Sequence, residues 1–252
     1  MDLLERVRAT GLLVRDRPTV VLLSGGRDSV CLLDLAVRLC GAGVVRALHV
    51  NYALRGEEAE GDEAHCRALC AGLAVGLDVR RPGPPPATGN LQAWAREARL
   101  IPGARLARER GAVLATGHTA SDQAETVLYR LAASPGRRAL LGMAAREGAV
   151  VRPLLAVGRE ETAAHCRARG LTWREDASNG DGSFARVRVR EGLLGALRAV
   201  HPAAEANVVR TAELLREEAA VLDDLVEAAL EGGDRVATDR LVALPAALGR
   251  LV

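Results

Sequence analysis

A doubly wound α/β fold on a mostly parallel sheet, followed by a C-terminal helical extension, is what this 252-residue sequence predicts. Three observations carry the expectation. The apolar fraction of 49% and charged fraction of 26% are those of a globular chain, and ~150 residues per domain makes it one large domain or one plus a fragment. Short apolar runs bounded by Pro or Gly alternate with segments of helical spacing. Three polar clusters, at 24–29, 49–55 and 116–126, fall after predicted strands, where ligands of such sheets bind.

The elements follow in order. Val20-Val21-Leu22-Leu23, between Pro18 and Ser-Gly-Gly, reads as a buried parallel strand. Residues 28–40 carry Val30, Leu33, Val37 and Cys40 at helical spacing. Val44–Val50 is a strand, 56–74 a helix and Leu77–Arg81 a third strand. Pro82 through Asn90 is a loop, because its prolines fit neither helix interior nor central strand. Residues 91–100 form a helix that Pro102 bends or restarts. Ala112–Thr116 is a strand, Ser121–Ala133 a helix and Val150–Leu155 a fifth strand. The segment 159–200 mixes helix and loop, with turn formers from Asp176 to Ser183. Residues 203–231 are a long helical pattern, and 236–252 lack a clear stop, as expected of a short or truncated form. The expected division is a catalytic domain over 1–200 and a helical extension over 201–252.

Composition removes several chemistries. Lysine is absent, so all 34 basic residues are arginine. A GKS/T phosphate loop and Schiff-base chemistry both need lysine. The five aromatics, Tyr52, Trp94, Tyr129, Trp173 and Phe184, are too few for a stacking platform that reads single-stranded RNA. No apolar run approaches the ~20 residues of a membrane helix. Met1-Asp2-Leu3-Leu4-Glu5-Arg6 is unlike a secretory signal, so a cytoplasmic location is expected. An odd count of five cysteines with no C-x-x-C pair argues against a disulfide framework. Cys66 and Cys70 share a helix face, as buried small side chains or, less favoured, as metal ligands.

The net charge of +2 is unevenly spread. Residues 80–110 hold seven Arg against two acids, and 152–190 hold eight Arg against five. Residues 211–235 hold eight acids against two Arg. The basic stretches suit phosphate groups through the fixed fork of the guanidinium, or are solvated helix faces.

Ser24-Gly25-Gly26-Arg27-Asp28-Ser29 stands between a predicted strand and helix. Its glycines let backbone N–H groups curl inward at the positive end of the helix, and its serines add hydroxyl donors. Asp28 beside phosphates makes sense if it holds Mg2+ or caps the helix. Asp122 and Glu125, at i and i+3, share one helix face and could hold Mg2+ or a cationic amine, or simply suit the helix dipole. His118 and His49, at strand ends, could contact phosphate or move protons, or be structural. Arg186, Arg188 and Arg190 alternate, so an extended run would present three guanidiniums on one face. Such a face suits RNA or a triphosphate, and an exposed edge strand is the alternative.

The hexapeptide resembles the PP-loop of the ATP pyrophosphatases, which split ATP into AMP and pyrophosphate. Within that family, His49-Val50-Asn51-Tyr52-Ala53-Leu54-Arg55-Gly56 resembles the H-V-N-H-G-L-R segment of tRNA(Ile)-lysidine synthetases, with Tyr52 where His is usual. Gln92 to Arg99 resembles their A-x-A-R-x-x-R helix. Ala115-Thr116-Gly117-His118-Thr119-Ala120-Ser121-Asp122-Gln123-Ala124-Glu125-Thr126 is similar to A-T-G-H-H-x-D-D-Q-A-E-T, with Thr119 and Ser121 as departures. Arg152-Pro153-Leu154-Leu155 with Arg159-Glu160-Glu161 resembles R-P-L-L…R-x-E-I. Trp173 to Asn179 resembles E-D-x-S/T-N, and Phe184 to Arg190 resembles R-N-R-x-R with Val187 where Asn is usual. The likeness covers roughly residues 18–216.

The resemblance implies a PP-loop, adenine nucleotide alpha hydrolase-like fold that uses ATP and Mg2+. It implies adenylation of C2 of the wobble cytidine in tRNA(Ile) with a CAU anticodon, then attack by free L-lysine to give lysidine, AMP and pyrophosphate. The ATP-binding residues it implies are Ser24, Gly25, Gly26, Arg27, Asp28, Ser29, His49, Asn51 and Gly117. The catalytic ones are Asp28, His118, Asp122 and Glu125, with Asp28 and Asp122 on the metal. The tRNA contacts are Arg55, Arg96, Arg99, Arg186, Arg188 and Arg190, and a homodimer could compensate for missing RNA-binding domains. The alternatives are a cytidine thiolase-like tRNA-modifying enzyme and a degenerate nucleotide-binding protein, which the four motif departures would suit.

Overall fold

Residues of alternating direction along the central strands build a sheet with two buried faces. The strands are β1 (Thr19–Leu22), β2 (Val45–Val50), β3 (Gly76–Arg80), β4 (Val113–Ala115), β5 (Arg146–Glu147) and β6 (Val150–Val151). The computed structural model describes residues 2–88, 90–175, 185–230, 241–242, 244–249 and 251. Their order is β3-β2-β1-β4-β6-β5, parallel throughout except for the β5–β6 hairpin. Val20, Leu48 and Leu114 point to one face, while Val21, Ala47 and Ala115 point to the other. That period of two is why near-continuous apolar runs suit a sheet covered on both sides.

Helices α1 (Leu3–Ala9), α2 (Arg27–Cys40), α3 (Glu57–Gly72) and α7 (Arg159–Ala168) contribute Val7, Leu33, Cys66 and Cys166 to one core cluster. Helix α4 (Leu91–Glu109) supplies Leu106 and Ala107 to the other. Leu33 and Leu114 are fully buried, and truncating such a leucine to alanine costs about 2–5 kcal/mol. α2 is buried continuously from Ser29 to Ala36, with Asp34 the one acid inside that stretch.

The predicted α/β class holds, and three local expectations change. Pro102 does not restart a helix, since α4 runs unbroken through it. A Cβ on the adjacent Gly103 would lie 3.1 Å from Leu114 and Leu22 side chains, so the helix is pressed on the sheet there and packing outweighs the proline penalty. The strand expected over Val150–Leu155 pairs only at Val150–Val151, because Pro153 has no N–H to give the ladder. The run from Arg186 to Arg190 is helical rather than extended: α8 (Ala185–Arg188), a π-helical turn at Val189–Leu193, then α9 (Leu194–Val200). Val187 and Val189 are buried there, so burial overrides their β preference.

Two compact units result. The first is Met1–Gln123 with Met143–Val187, and the second Ala124–Gly142 with Arg188–Val252. Where the sequence suggests a boundary at 200, Arg188–Val200 packs with α10 (Ala204–Leu230), and α5 (Ala120–Ala133) runs through the division. Within the second unit, α6 (Arg137–Leu140) meets α10 through Arg138 and Asp223, 3.3 Å apart. No described helix is long and apolar enough to cross a membrane.

Candidate active site

The β1–α2 connection is the predicted phosphate loop. Gly25 has φ +89°, a left-handed conformation that side chains avoid. An added Cβ there would also lie 3.3 Å from Cys66 Sγ. Gly26 is the N-cap of α2, whose first N–H groups lack intrahelical acceptors. The serines brace the curl. Ser29 Oγ donates to Gly26 O at 2.8 Å and accepts from Ser24 N at 3.2 Å, and Ser24 Oγ accepts from Gly26 N at 3.3 Å. Backbone N–H groups, the Ser24 hydroxyl and a helix N-terminus make an anion cradle, which Ser29 braces through Gly26 O.

Asp28 stands in the first turn of α2. Its Oδ1 accepts from Thr162 Oγ1 at 2.5 Å and from Arg27 Nε at 3.2 Å. Lower on the same pair of helices, Asp34 is buried and accepts from His165 at 2.8 Å and from Arg169 at 3.4 Å. Burial pushes the Asp34 carboxyl up, yet the bonds from His165 and Arg169 bring it below the usual range.

The β4–α5 connection joins the loop from the other side. A Cβ on Gly117 would lie 3.2 Å from the backbone of Asp28 and Ser29, so glycine lets the two connections touch. Thr116 Oγ1 and His118 Nδ1 are 2.8 Å apart. Asp122 Oδ2 accepts from Thr119 N and Oγ1, both at 2.9 Å, and its Oδ1 lies 3.7 Å from Arg159. Thr119, where the resembled pattern has a second histidine, is thus the cap partner of Asp122. Asp28 and Asp122 both meet the first turn of α7, through Thr162 and Arg159. Glu125 is fully buried in the second unit, where Arg190 grips it at 2.6 and 3.3 Å.

At the end of β2, His49 is buried. Its Nδ1 lies 2.9 Å from Leu23 O, and its Nε2 is buried without a partner among the described residues. A histidine that donates to a carbonyl through Nδ1 presents Nε2 as an acceptor. Asn51 directs its amide to Glu60 and Glu63, both at 3.0 Å, and accepts from Ala53 N at 2.9 Å. Its side chain therefore shapes the turn into α3. Burial pushes Glu63 up, but Asn51, Arg67 and Arg81 hold it below the usual carboxylate range. Tyr52 donates to Ala95 O at 2.9 Å and packs on Trp94, ring centres 5.5 Å apart. Burial raises its phenol.

The arginines divide. Arg96 and Arg99 are exposed one turn apart on α4. Arg55 pairs with Asp62 at 2.9 Å. Arg188 is exposed and Arg190 is committed to Glu125. The side chain of Arg186 lies outside the described residues, as do Asp176 to Asn179 of the quoted motif and the turn formers through Ser183. Sequence reasoning passed over Thr119, Arg159, Thr162 and Arg174 as site residues. Arg174 closes the loop from behind: its N donates to Gly25 O at 3.0 Å and its Nε to Asp62 at 2.8 Å. Its place in the Trp173–Asn179 motif was the available signal.

The donor set suits magnesium held with phosphates. Among the described residues no three His, Cys, Asp or Glu side chains form a ready cage. Mg2+ needs none, since it keeps waters and takes one or two carboxylates plus substrate phosphates. Asp28 and Asp122 are two such carboxylates beside the cradle.

Comparison with known proteins gives three findings. A PP-loop domain family matches residues 4–197. A tRNA(Ile)-lysidine synthase of Symbiobacterium thermophilum is 41% identical over 244 residues, covering 91% of this chain and 51% of its own length. One of Salinispora arenicola is 42% identical over 229 residues, covering 85% of this chain and 67% of its own. The chain thus spans about half to two thirds of these relatives. In fold, it is similar to the U34-tRNA thiolase NcsA of Methanococcus maripaludis with its [4Fe-4S] cluster. The TM-score is 0.67 and the identity 20%, over 84% of this chain and 77% of that one.

Proposed function

Because the chain belongs to the PP-loop family, in its tRNA(Ile)-lysidine synthase branch, we propose that it is a cytoplasmic ligase joining lysine to tRNA(Ile) at the expense of ATP. The target is C2 of the wobble cytidine of a CAU anticodon. The products are lysidine, AMP and pyrophosphate, formed through an adenylated tRNA. The observation that supports this reading best is the convergence of the phosphate loop, the Gly117–Asp122 connection and the first turn of α7 around Asp28.

The residues divide the work as follows. Ser24, Gly25, Gly26, Arg27 and Ser29 cradle the phosphates, and the α2 N-terminus adds its dipole. His49 Nε2 is an acceptor for the nucleotide, and Asn51 shapes that wall through Glu60 and Glu63. Gly117 leaves room for the backbone. Asp28 and Asp122 hold Mg2+, which when bound neutralises charge developing on the departing pyrophosphate. His118 is the group to move a proton as the C2 oxygen or the amine reacts. In place of the metal, Asp122, partly exposed, can hold the lysine by its ammonium. Glu125 adds to that only by exchanging its Arg190 partner, and otherwise fixes α5. Arg96, Arg99, Arg186 and Arg188 supply positive charge for tRNA phosphates, and Arg55 and Arg190 add to it only by leaving Asp62 and Glu125.

Radiolabelled lysine, ATP, Mg2+ and tRNA(Ile) bearing the CAU anticodon test the reading. Label entering that tRNA, and not one with guanine at the wobble position, is the expected result. ATP binding with no transfer would leave a nucleotide-binding protein without this activity.

A further inference from the structure

α7 touches the phosphate-loop helix with one buried hydroxyl. Thr162 is fully buried, and its Oγ1 lies 2.5 Å from Asp28 Oδ1 and 2.8 Å from Arg159 O. A hydroxyl has one proton to donate, and the carboxylate is the stronger acceptor. Arg27 Nε donates to the same oxygen. Both protein donors therefore gather on Oδ1, and Oδ2 accepts no hydrogen bond among the described residues. A carboxylate in a first helical turn has a competing use, which is to turn back on the N–H groups of its own helix.

We propose that Thr162 is a positioning residue: it holds Oδ1 of Asp28 so that Oδ2 is the oxygen presented to the divalent cation of a metal–nucleoside triphosphate complex. The inference rests on the ATP reading of the loop. α7 is held in place by contacts other than this hydroxyl. His165 bonds Asp34 at 2.8 Å, Glu161 accepts from Gly158 N at 2.9 Å, and Arg6 pairs with Glu161. Replacing the hydroxyl by a methyl should therefore leave α7 in place and release the Asp28 carboxylate.

The test titrates the full chain with ATP bearing a methylene bridge between its α- and β-phosphates, by calorimetry, in Mg2+ and in EDTA. Thr162→Val should weaken the Mg2+-dependent affinity about tenfold, the usual cost of losing an outer-shell partner. Binding in EDTA and the melting temperature should stay at wild-type values, and Thr162→Ser should restore the Mg2+-dependent binding. Wild type and Thr162→Val with equal affinities in Mg2+ would overturn the positioning role alone. Equal weakening with and without Mg2+, or a fall in melting temperature with no rescue by serine, would make Thr162 merely structural and overturn it as well. A wild type that ignores the analogue altogether would overturn the ATP reading, and this role with it.

Discussion

Asp122 and Glu125 stand one helical turn apart on α5, yet they belong to different regions and are held differently. In the first unit, Asp122 keeps some contact with solvent, is capped by Thr119, and sees Arg159 only at 3.7 Å. In the second, Glu125 is fully excluded from water and neutralised by a guanidinium at 2.6 Å. The first arrangement leaves a carboxylate in contact with solvent beside Arg159. The second uses a carboxylate to fix helix against π-helical turn. Helical spacing places two acids on one face, but surroundings decide which is buried and which keeps contact with solvent.

Breaking the second arrangement should have the largest effect on folding. Glu125→Ala strands Arg190 in a poorly hydrated place, and losing one partner of a buried pair costs about 3–5 kcal/mol. A lower denaturation midpoint is expected, and recovery in Glu125→Leu with Arg190→Met would show that the pair is structural. Asp122→Asn should do the reverse, with a near wild-type midpoint. Its tRNA-dependent pyrophosphate release should fall about 10²-fold, the scale of losing one group that stabilises transition-state charge. Equal destabilisation by both variants would erase the contrast.

Asp34→Asn sharpens it from inside the first unit, where a buried acid serves structure. A cost of about 2 kcal/mol is expected from weakening its bonds to His165 and Arg169. The Asp34 pKa is lowered on folding, so its stabilisation is full above the ordinary carboxylate value and fades as pH falls through the folded one. Wild type and variant should therefore stay apart down to the ordinary carboxylate value and converge only as pH falls below the folded one. Gly117→Ala follows, at about 1–3 kcal/mol from overpacking against Asp28 and Ser29, with weaker ATP binding than that loss alone explains. The smallest effect concerns reactivity. Burial pushes Cys66 up to about 12 and Cys70 up to about 11. Both should resist iodoacetamide at pH 8 in the native protein and react on unfolding.

Much of the first unit was legible from sequence. Apolar runs between turn formers locate β1, β2 and β4, because parallel strands covered on both faces have no polar side. The phosphate loop was legible because glycines at a strand–helix junction with flanking hydroxyls have few other uses. The helical run at 186–190 was not, because alternating Arg and Val is also a strand pattern and only the burial of Val187 and Val189 decides. Thr162 was not, because its partner lies 134 residues away. Nor was Arg174, whose backbone N–H holds Gly25 O in a contact that no local pattern encodes.

Neighbouring residues encode the α/β alternation, the glycine–serine loop at the first strand–helix junction and the family, because spacing and turn chemistry are local. Packing decides that Asp122 keeps contact with solvent while Glu125 is buried on Arg190. It also decides that Asn51 turns to α3 and that Asp28 answers to Thr162. Those outcomes depend on burial and on which charge arrives from a distant element, and desolvation and ion pairing are properties of the packed chain.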